Sequence, residues 1–190
     1  MRPVRLMLKL LIPFLLSTAA ATASPLADSG SPYLRLHADD PVKWRAWNAQ
    51  SLAEARRDNR LLFLSIGYYA CHWCHVMQRE SFQDPAVAEY INRHFVPVKV
   101  DREVEPVLDE QMMRFMEATR GQGGWPLNVF LTPEGHPLVG TVYLPRDDFL
   151  AFVQRLQTRW QAQATGLAVT AREGWDALYG QPAVNDLLAA

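Results

Sequence analysis

Cysteine is nearly absent from this chain of 190 residues, because Cys71 and Cys74 are its only two. So few cysteines exclude a framework of several disulfides as the source of the protein's stability. A bridge between these two residues would close a very short loop and would therefore constrain the unfolded chain little. Stability alone does not explain the pair, and we expect it to have a chemical role.

The chain also lacks an apolar run long enough to cross a membrane. Its longest run, LLIPFLLSTAAATA at residues 10–23, is shorter than the roughly 20 residues that a spanning helix needs. The run follows Arg2, Arg5 and Lys9 and ends in a small-x-small triplet, the pattern of a secretory signal. We therefore predict a signal peptide over residues 1–23, cleavage after Ala23, and a periplasmic or secreted protein with no membrane contact after signal removal.

An excess of basic charge is missing as well. Loss of Arg2, Arg5 and Lys9 with the signal would leave 16 Lys and Arg against 20 Asp and Glu, a net charge of about −4. A protein that binds nucleic acid needs a basic surface to neutralise phosphates, so we expect no nucleic-acid partner. The remaining residues suffice for one domain with a core of its own.

The apolar pattern predicts the order of the helices and strands. LLFLSI at residues 61–66 and VPVKV at residues 96–100 are continuous apolar runs, typical of strands buried on both faces. Two helical segments between them, the second opened by Asp84-Pro85, predict a parallel pair of strands with a right-handed crossover. Asp40-Pro41 resembles a helix N-cap followed by proline and predicts an earlier helix that runs to about Arg60.

The second half of the chain adds a helix at about Leu108–Thr119, a strand hairpin and a final helix. LNVFLT and LVGTVYL are two strand-like runs separated by the turn Pro133-Glu134-Gly135-His136-Pro137, and Asp147 opens the last amphipathic segment. This order predicts a thioredoxin-like α/β fold with a central mixed sheet flanked by helices. We assign residues 24–60 to an N-terminal helical extension, 61–165 to the thioredoxin-like domain and 166–190 to a C-terminal helical tail.

The cysteine pair is predicted to lie where the first strand turns into a helix. Unpaired amides and the helix dipole at that point favour a thiolate, so Cys71 is the expected nucleophile and Cys74 the resolving cysteine. His72, Trp73 and His75 are candidates for tuning the thiolate. In a thioredoxin-like fold a cis-proline loop faces the cysteines; Trp125 and Pro126 are the candidates for that loop and for substrate binding.

Several motifs in order resemble the amino-terminal thioredoxin-like domain of the spermatogenesis-associated, thioredoxin-domain family. They are SPYL at residues 31–34, SIGY at 65–68, CHWCHVM at 71–77, ESF at 80–82, VKVDRE at 98–103 and GGWPLNVFLTP at 123–133. The resemblance covers about residues 30–165 and implies a thioredoxin fold, with Cys71, Cys74 and Pro126 carried over. Members usually continue into a large helical barrel, whose activity is not carried over to this chain.

One departure concerns proton transfer. Thioredoxins keep a buried acid six residues before the first cysteine, and Ser65 occupies that position here. We expect Asp101 or a histidine to substitute for it.

These observations predict an exported thiol-disulfide oxidoreductase without cofactor or bound metal, acting on protein thiols or disulfides together with a redox partner protein of unknown identity. The direction of the reaction stays open. Three alternatives also stay open: a non-catalytic binding scaffold that uses the Trp125 surface, c-type haem attached at Cys71-X-X-Cys74-His75, and a metal site that combines the cysteines with His72 and His75.

Overall fold

The computed structural model describes residues 24–180 of the chain. The predicted signal peptide, at residues 1–23, and the last ten residues of the predicted tail lie outside the described residues. Within residues 24–180, no helix has the length and apolar character needed to cross a bilayer.

A four-stranded sheet with helices against both faces forms the framework. The strands are β1 (Leu61–Gly67), β2 (Phe95–Asp101), β3 (Leu127–Leu131) and β4 (Pro137–Thr141). The helices are α1 (Pro32–Leu36), α2 (Ala49–Asp58), α3 (His72–Met77), α4 (Pro85–His94), α5 (Pro106–Arg120) and α6 (Arg146–Tyr179). Helix α3 continues directly into a π-helical turn (Gln78–Phe82), and α6 is interrupted by non-helical dihedral angles at Gln163.

The sheet has the order β2-β1-β3-β4, with β1 and β2 parallel and the other two pairs antiparallel. The predicted parallel pair and the predicted hairpin are both present. The fold class predicted from the sequence, a thioredoxin-like mixed sheet flanked by helices, is therefore confirmed.

Strand β1 lies in the middle of the protein, and all seven of its residues are buried. Leu62, Leu64 and Ile66 pack in one apolar cluster with α2 and α5, whereas Leu61 and Phe63 pack in a second cluster with α4 and α6. Because successive side chains of a strand point to opposite faces, a strand covered on both sides needs a continuous apolar run. This accounts for the sequence LLFLSI.

The prediction of a helix that begins at Asp40-Pro41 is wrong. Helix α2 begins at Ala49, where Asn48 caps it in a reciprocal capping box with Ser51. Asp40 does not cap a first turn, because its carboxylate accepts hydrogen bonds from the side chains of other residues, among them Trp44. The chain then runs extended along β2, with the Arg45 N–H donating to the carbonyl of Pro97 (2.9 Å).

A short helix that the sequence pattern did not predict precedes this segment. Ser31 caps α1, accepting a hydrogen bond from the Leu34 N–H (3.0 Å) and donating its own hydroxyl to Asp101 at the end of β2 (2.6 Å). The cap therefore fixes α1 against the carboxyl edge of the sheet. It also places Tyr33 in the interior, where its side chain is fully buried.

Candidate active site

The cysteine pair lies just past the carboxyl end of β1. Cys71 is the N-cap of α3, and Cys74 follows one turn later; the two are joined by a disulfide with their Cα atoms 5.3 Å apart. The Cys74 N–H donates to Cys71 Sγ (3.2 Å). Cys71 is 3% and Cys74 1% exposed.

This geometry has a direct electrostatic consequence. Backbone N–H groups at the start of a helix carry partial positive charge and lack intrahelical partners. The one that contacts Cys71 Sγ would stabilise negative charge on that sulfur once the disulfide opens, and such stabilisation lowers a thiol's pKa.

The Trp125-Pro126 loop lies against the same pair. Its peptide bond is cis, the isomer that a thioredoxin-like fold implies. Trp125 packs against the cysteine cluster, and its indole Nε1–H donates to Asp109 on α5 (2.8 Å). The guanidinium of Arg102 lies 4.0 Å from the Trp125 ring centroid on another side. The contacts with Asp109 and Arg102 therefore hold the indole in place; its role in substrate binding stays a prediction.

The candidate tuning residues point in different directions. His72 and Trp73 are exposed, and the Trp73 ring lies 4.8 Å from that of Tyr143. His75 Nε2 is 2.7 Å from the carbonyl oxygen of Tyr69, so that nitrogen is engaged with the backbone rather than with a sulfur. A role for these three side chains in setting thiolate stability stays a prediction.

Two observations concern the metal-site and haem alternatives. Within residues 24–180, no group of three or more His, Cys, Asp or Glu side chains is arranged to hold a metal ion. An axial-ligand role for His75 through Nε2 would require its contact with the Tyr69 carbonyl to break.

A lysine occupies the space beside Ser65, where thioredoxins keep a buried acid. Lys99 lies opposite Ser65 on β2, and its Nζ donates to the Ser65 hydroxyl (2.9 Å). The ammonium group lies 4.8 to 5.2 Å from three ring centroids, those of Tyr33, Trp44 and Phe82. Burial lowers the pKa of Lys99 to about 7, although nearby Asp40 opposes the shift.

Lys99, Ser65 and the three rings around the ammonium group form a buried layer below the cysteines. A buried histidine and a buried carboxylate, His37 and Asp40, also belong to it. His37 Nδ1 and Asp40 Oδ2 are 2.6 Å apart, and both side chains are 1% exposed. Burial and the nearby Lys99 lower the pKa of His37 to about 4. Burial opposes ionisation of Asp40, yet hydrogen bonds from His37, Gln78 and Trp44 hold its pKa below the ordinary value. At neutral pH, His37 is therefore a neutral donor to an ionised Asp40.

Lys99 was not predicted from the sequence. Asp101 or a histidine was expected to replace the missing acid, whereas Asp101 accepts a hydrogen bond from Ser31 and His37 is bonded to Asp40. The available signal was a charged residue in the middle of the apolar run VPVKV, because a strand buried on both faces rarely carries one.

Gly67, at the end of β1, allows the Tyr33 hydroxyl and Cys74 Sγ to come close to the same point of the strand. A Cβ atom at this position would overlap the Tyr33 hydroxyl and would lie 2.7 Å from Cys74 Sγ. Tyr33 and the two cysteines form one buried cluster. The missing side chain at residue 67 therefore allows the Tyr33 hydroxyl and Cys74 Sγ to lie at the same point of the sheet.

These features define a class: a thioredoxin-like domain with a CXXC disulfide at a helix N-terminus and a neighbouring cis-proline loop. The chain belongs to the family described as Thioredox_DsbH, protein of unknown function, DUF255, whose model matches residues 23–179. The family resemblance seen in the sequence is confirmed by its curated relatives.

Two of those relatives are animal proteins. "Uncharacterized protein B0495.5" of Caenorhabditis elegans is 40% identical over 168 residues, covering 85% of this chain and 23% of the relative. "Spermatogenesis-associated protein 20" of Homo sapiens is 38% identical over 175 residues, covering 89% of this chain and 22% of the relative. The chain thus spans less than a quarter of the length of these relatives.

Among solved structures, a thioredoxin from Thermus thermophilus superimposes with a TM-score of 0.51. It is 23% identical, and the match covers 65% of this chain and 94% of the thioredoxin. The comparison supports the fold.

The burial of Lys99 predicts a stability gain on its removal. Because the pKa of Lys99 falls from 10.5 to about 7 on folding, the unfolded chain binds the proton more tightly, and the cost of burial is greatest below pH 7. Lys99→Met should therefore be more stable than the native protein by about 1–3 kcal/mol near pH 6. The gain should shrink as the pH rises from about 7 to 10. Urea unfolding across this pH range measures both effects.

Lys43→Met is the matched control, since Lys43 is exposed and is the other lysine within residues 24–180. Its stability should change by less than about 0.5 kcal/mol at any pH. A Lys99→Met protein less stable than the native one at every pH would mean that attraction between Lys99 and Asp40 outweighs the cost of burial.

Gly67→Ala should destabilise the oxidised protein. The new methyl group would force Tyr33 or Cys74 away from β1, and overpacking of this kind costs about 1–3 kcal/mol. Gly174→Ala in α6 is the control, because no atom lies within 4 Å of a Cβ there, and alanine in a helix interior should stabilise by about 0.5–1 kcal/mol. Equal effects of the two substitutions on urea unfolding would contradict the packing described here.

Proposed function

We propose that this chain is a thiol-disulfide oxidoreductase in which Cys71 forms the mixed disulfide with a client protein and Cys74 resolves it. The observation that carries the proposal is the Cys71–Cys74 disulfide at the start of α3, with a backbone N–H donating to Cys71 Sγ. This arrangement makes Cys71 the better-stabilised thiolate of the two.

The exchange proceeds in two displacements. When the protein oxidises a client, a client thiolate attacks Cys71 Sγ, the Cys71–Cys74 bond breaks, and its electron pair leaves on Cys74 Sγ. A second client thiolate then attacks the client sulfur of the mixed disulfide, and Cys71 leaves as a thiolate that the helix N-terminus stabilises. The client gains a disulfide and the protein becomes a dithiol. Reduction of a client disulfide is the same sequence reversed.

The surface around the pair supports binding of an unfolded or extended client. Tyr69 and Trp73, on either side of Cys71 in sequence, are more than half exposed and offer apolar surface to a client. Trp125, on another side, is fixed by Asp109 and Arg102. We propose that this aromatic rim receives the residues flanking the client cysteine, while the backbone of the Trp125-Pro126 loop pairs with the extended client segment.

We further propose that the protein acts outside the cytoplasm, in the periplasm or after secretion. The basic residues, short apolar run and Ala21-Thr22-Ala23 triplet of residues 1–23 support this. Its partners would then be protein thiols or disulfides and a separate protein that restores the redox state of the pair.

One observation favours a second candidate, a binding scaffold that uses its thiols little. Both cysteines are at least 97% buried, with exposures of 3% and 1%, and a buried disulfide is attacked more slowly than an exposed one. The scaffold would bind a partner through the same aromatic rim.

The first experiment is a redox titration of residues 24–190 against glutathione, followed by tryptophan fluorescence. We expect one two-electron transition. A midpoint near −120 mV would indicate a disulfide donor, and one near −270 mV a reductant of clients. The absence of a transition would contradict the proposal and favour the scaffold.

Single substitutions separate the roles of the two cysteines. Cys71→Ser should abolish exchange with a model peptide disulfide, because it removes the sulfur that accepts the backbone N–H at the start of α3 and that forms the mixed disulfide. Cys74→Ser should instead accumulate a mixed disulfide with the peptide, detectable by mass spectrometry, because the resolving thiol is gone. Trapping by the Cys71→Ser protein but not by the Cys74→Ser protein would reverse the assignment.

A further inference from the structure

Tyr33 carries a buried hydroxyl without a hydrogen-bond partner among the described residues. Its side chain is 0% exposed and belongs to the same cluster as Cys71 and Cys74. Buried polar groups are normally hydrogen-bonded, and an exception calls for an explanation, such as a role in another state of the protein.

The surroundings of this hydroxyl restrict what it can do. Burial and the nearby carboxylates of Asp101 and Asp40 raise the pKa of Tyr33 far above its ordinary value, so the phenol stays protonated. Neither carboxylate is bonded to it, since Asp101 accepts from Ser31 and Asp40 from His37. The Tyr33 hydroxyl is thus a buried hydrogen-bond donor without an acceptor among the described residues.

The position of Gly67 identifies the acceptor. A Cβ atom at residue 67 would touch both the Tyr33 hydroxyl and Cys74 Sγ, so the two groups share the space that glycine leaves. A disulfide sulfur accepts hydrogen bonds weakly, whereas a thiolate accepts them strongly because it carries a full negative charge. Opening of the disulfide would supply the missing acceptor.

We propose that the Tyr33 hydroxyl donates a hydrogen bond to Cys74 Sγ when that sulfur leaves as a thiolate. The inference rests on the proposed function, in which a client thiolate attacks Cys71 and the electron pair of the broken S–S bond goes to Cys74. The proton stays on Tyr33 and only the hydrogen bond forms, so no further reactant is needed. The same contact stabilises the Cys74 thiolate before it attacks a mixed disulfide in the reverse direction.

Neighbouring polar groups are engaged elsewhere. Lys99 Nζ donates to Ser65, and the Cys74 backbone N–H donates to Cys71 rather than to its own sulfur. Lys99 contributes positive charge below the Tyr33 ring, 5.2 Å from its centroid. Tyr33 is therefore the donor that the structure assigns to the resolving cysteine.

The test isolates Cys74 by placing Tyr33→Phe in a Cys71→Ser background. The rate of alkylation by iodoacetamide as a function of pH gives the pKa of Cys74 in each protein. We expect the pKa to rise by about one unit when the hydroxyl is lost, which is a tenfold loss of thiolate at a given pH. An unchanged pKa would overturn the inference.

Tyr90→Phe in the same background is the matched control, since this half-buried ring on α4 packs against His94 and Phe95, away from the cysteines. It should leave the pKa of Cys74 unchanged. An equal rise in both variants would overturn the inference, because the shift would then come from a general effect of losing a tyrosine hydroxyl.

A second measurement keeps both native cysteines and follows the rate at which dithiothreitol opens the disulfide. A purely structural role of Tyr33 would leave this rate unchanged. Tyr33→Phe should slow the opening of the disulfide by dithiothreitol roughly tenfold, since the leaving thiolate is less stabilised. The oxidised protein should unfold at the same or a higher temperature, because the hydroxyl has no partner in that state and its burial is uncompensated. An unchanged rate would overturn the inference.

The outcomes distinguish this inference from the proposed function. If the native protein exchanges with clients but Tyr33→Phe changes neither the pKa of Cys74 nor the opening rate, the inference fails and the function stands. If the pKa shifts but the native protein exchanges with no client disulfide or dithiol, the contact is supported and the proposed function fails.

Discussion

The burial of β1 on both faces is the constraint on which the rest of the structure depends. It requires an apolar cluster on each side, and it places the end of the strand, at Gly67, directly beneath the cysteine pair. The close approach of Tyr33 and Cys74 is possible because this last residue has no side chain. The strand at the centre of the core therefore also sets the distance between Cys74 Sγ and the groups below it.

The layer below the cysteines differs chemically from that of a thioredoxin. A hydroxyl replaces the acid at position 65, and the buried ionisable group bonded to it is a lysine. A buried cation stabilises nearby negative charge, and its deprotonation near neutral pH would remove that stabilisation. Near Lys99, Asp40 contributes an ionised carboxylate that accepts a hydrogen bond from His37. The charged groups buried beneath Tyr33 thus come from different elements, Lys99 from β2 and Asp40 from the segment after α1.

Features that local sequence signals determine were predicted correctly, whereas features that depend on residues distant in sequence were not. The central strands, the β3–β4 hairpin and the position of Cys71 at a helix start were predictable, because apolar runs and turn residues are local signals. Helix α2 was misplaced because Asp40 bonds to side chains rather than to the amides that its spacing suggested. Lys99 and Tyr33 were missed because their meaning comes from partners more than 30 residues away in sequence, which no local pattern records.

The N-terminal segment packs closely against the thioredoxin-like sheet. Residues of this segment supply the buried tyrosine beside the cysteines, the His37–Asp40 pair and the Trp44 ring that faces Lys99. Its backbone also pairs with β2 through Arg45. A buried lysine needs neighbouring groups that compensate its charge, and this segment supplies three of them to Lys99, namely Tyr33, Asp40 and Trp44. A thioredoxin-like sheet without residues 31–45 would expose Lys99 and leave Cys74 without the hydroxyl below it.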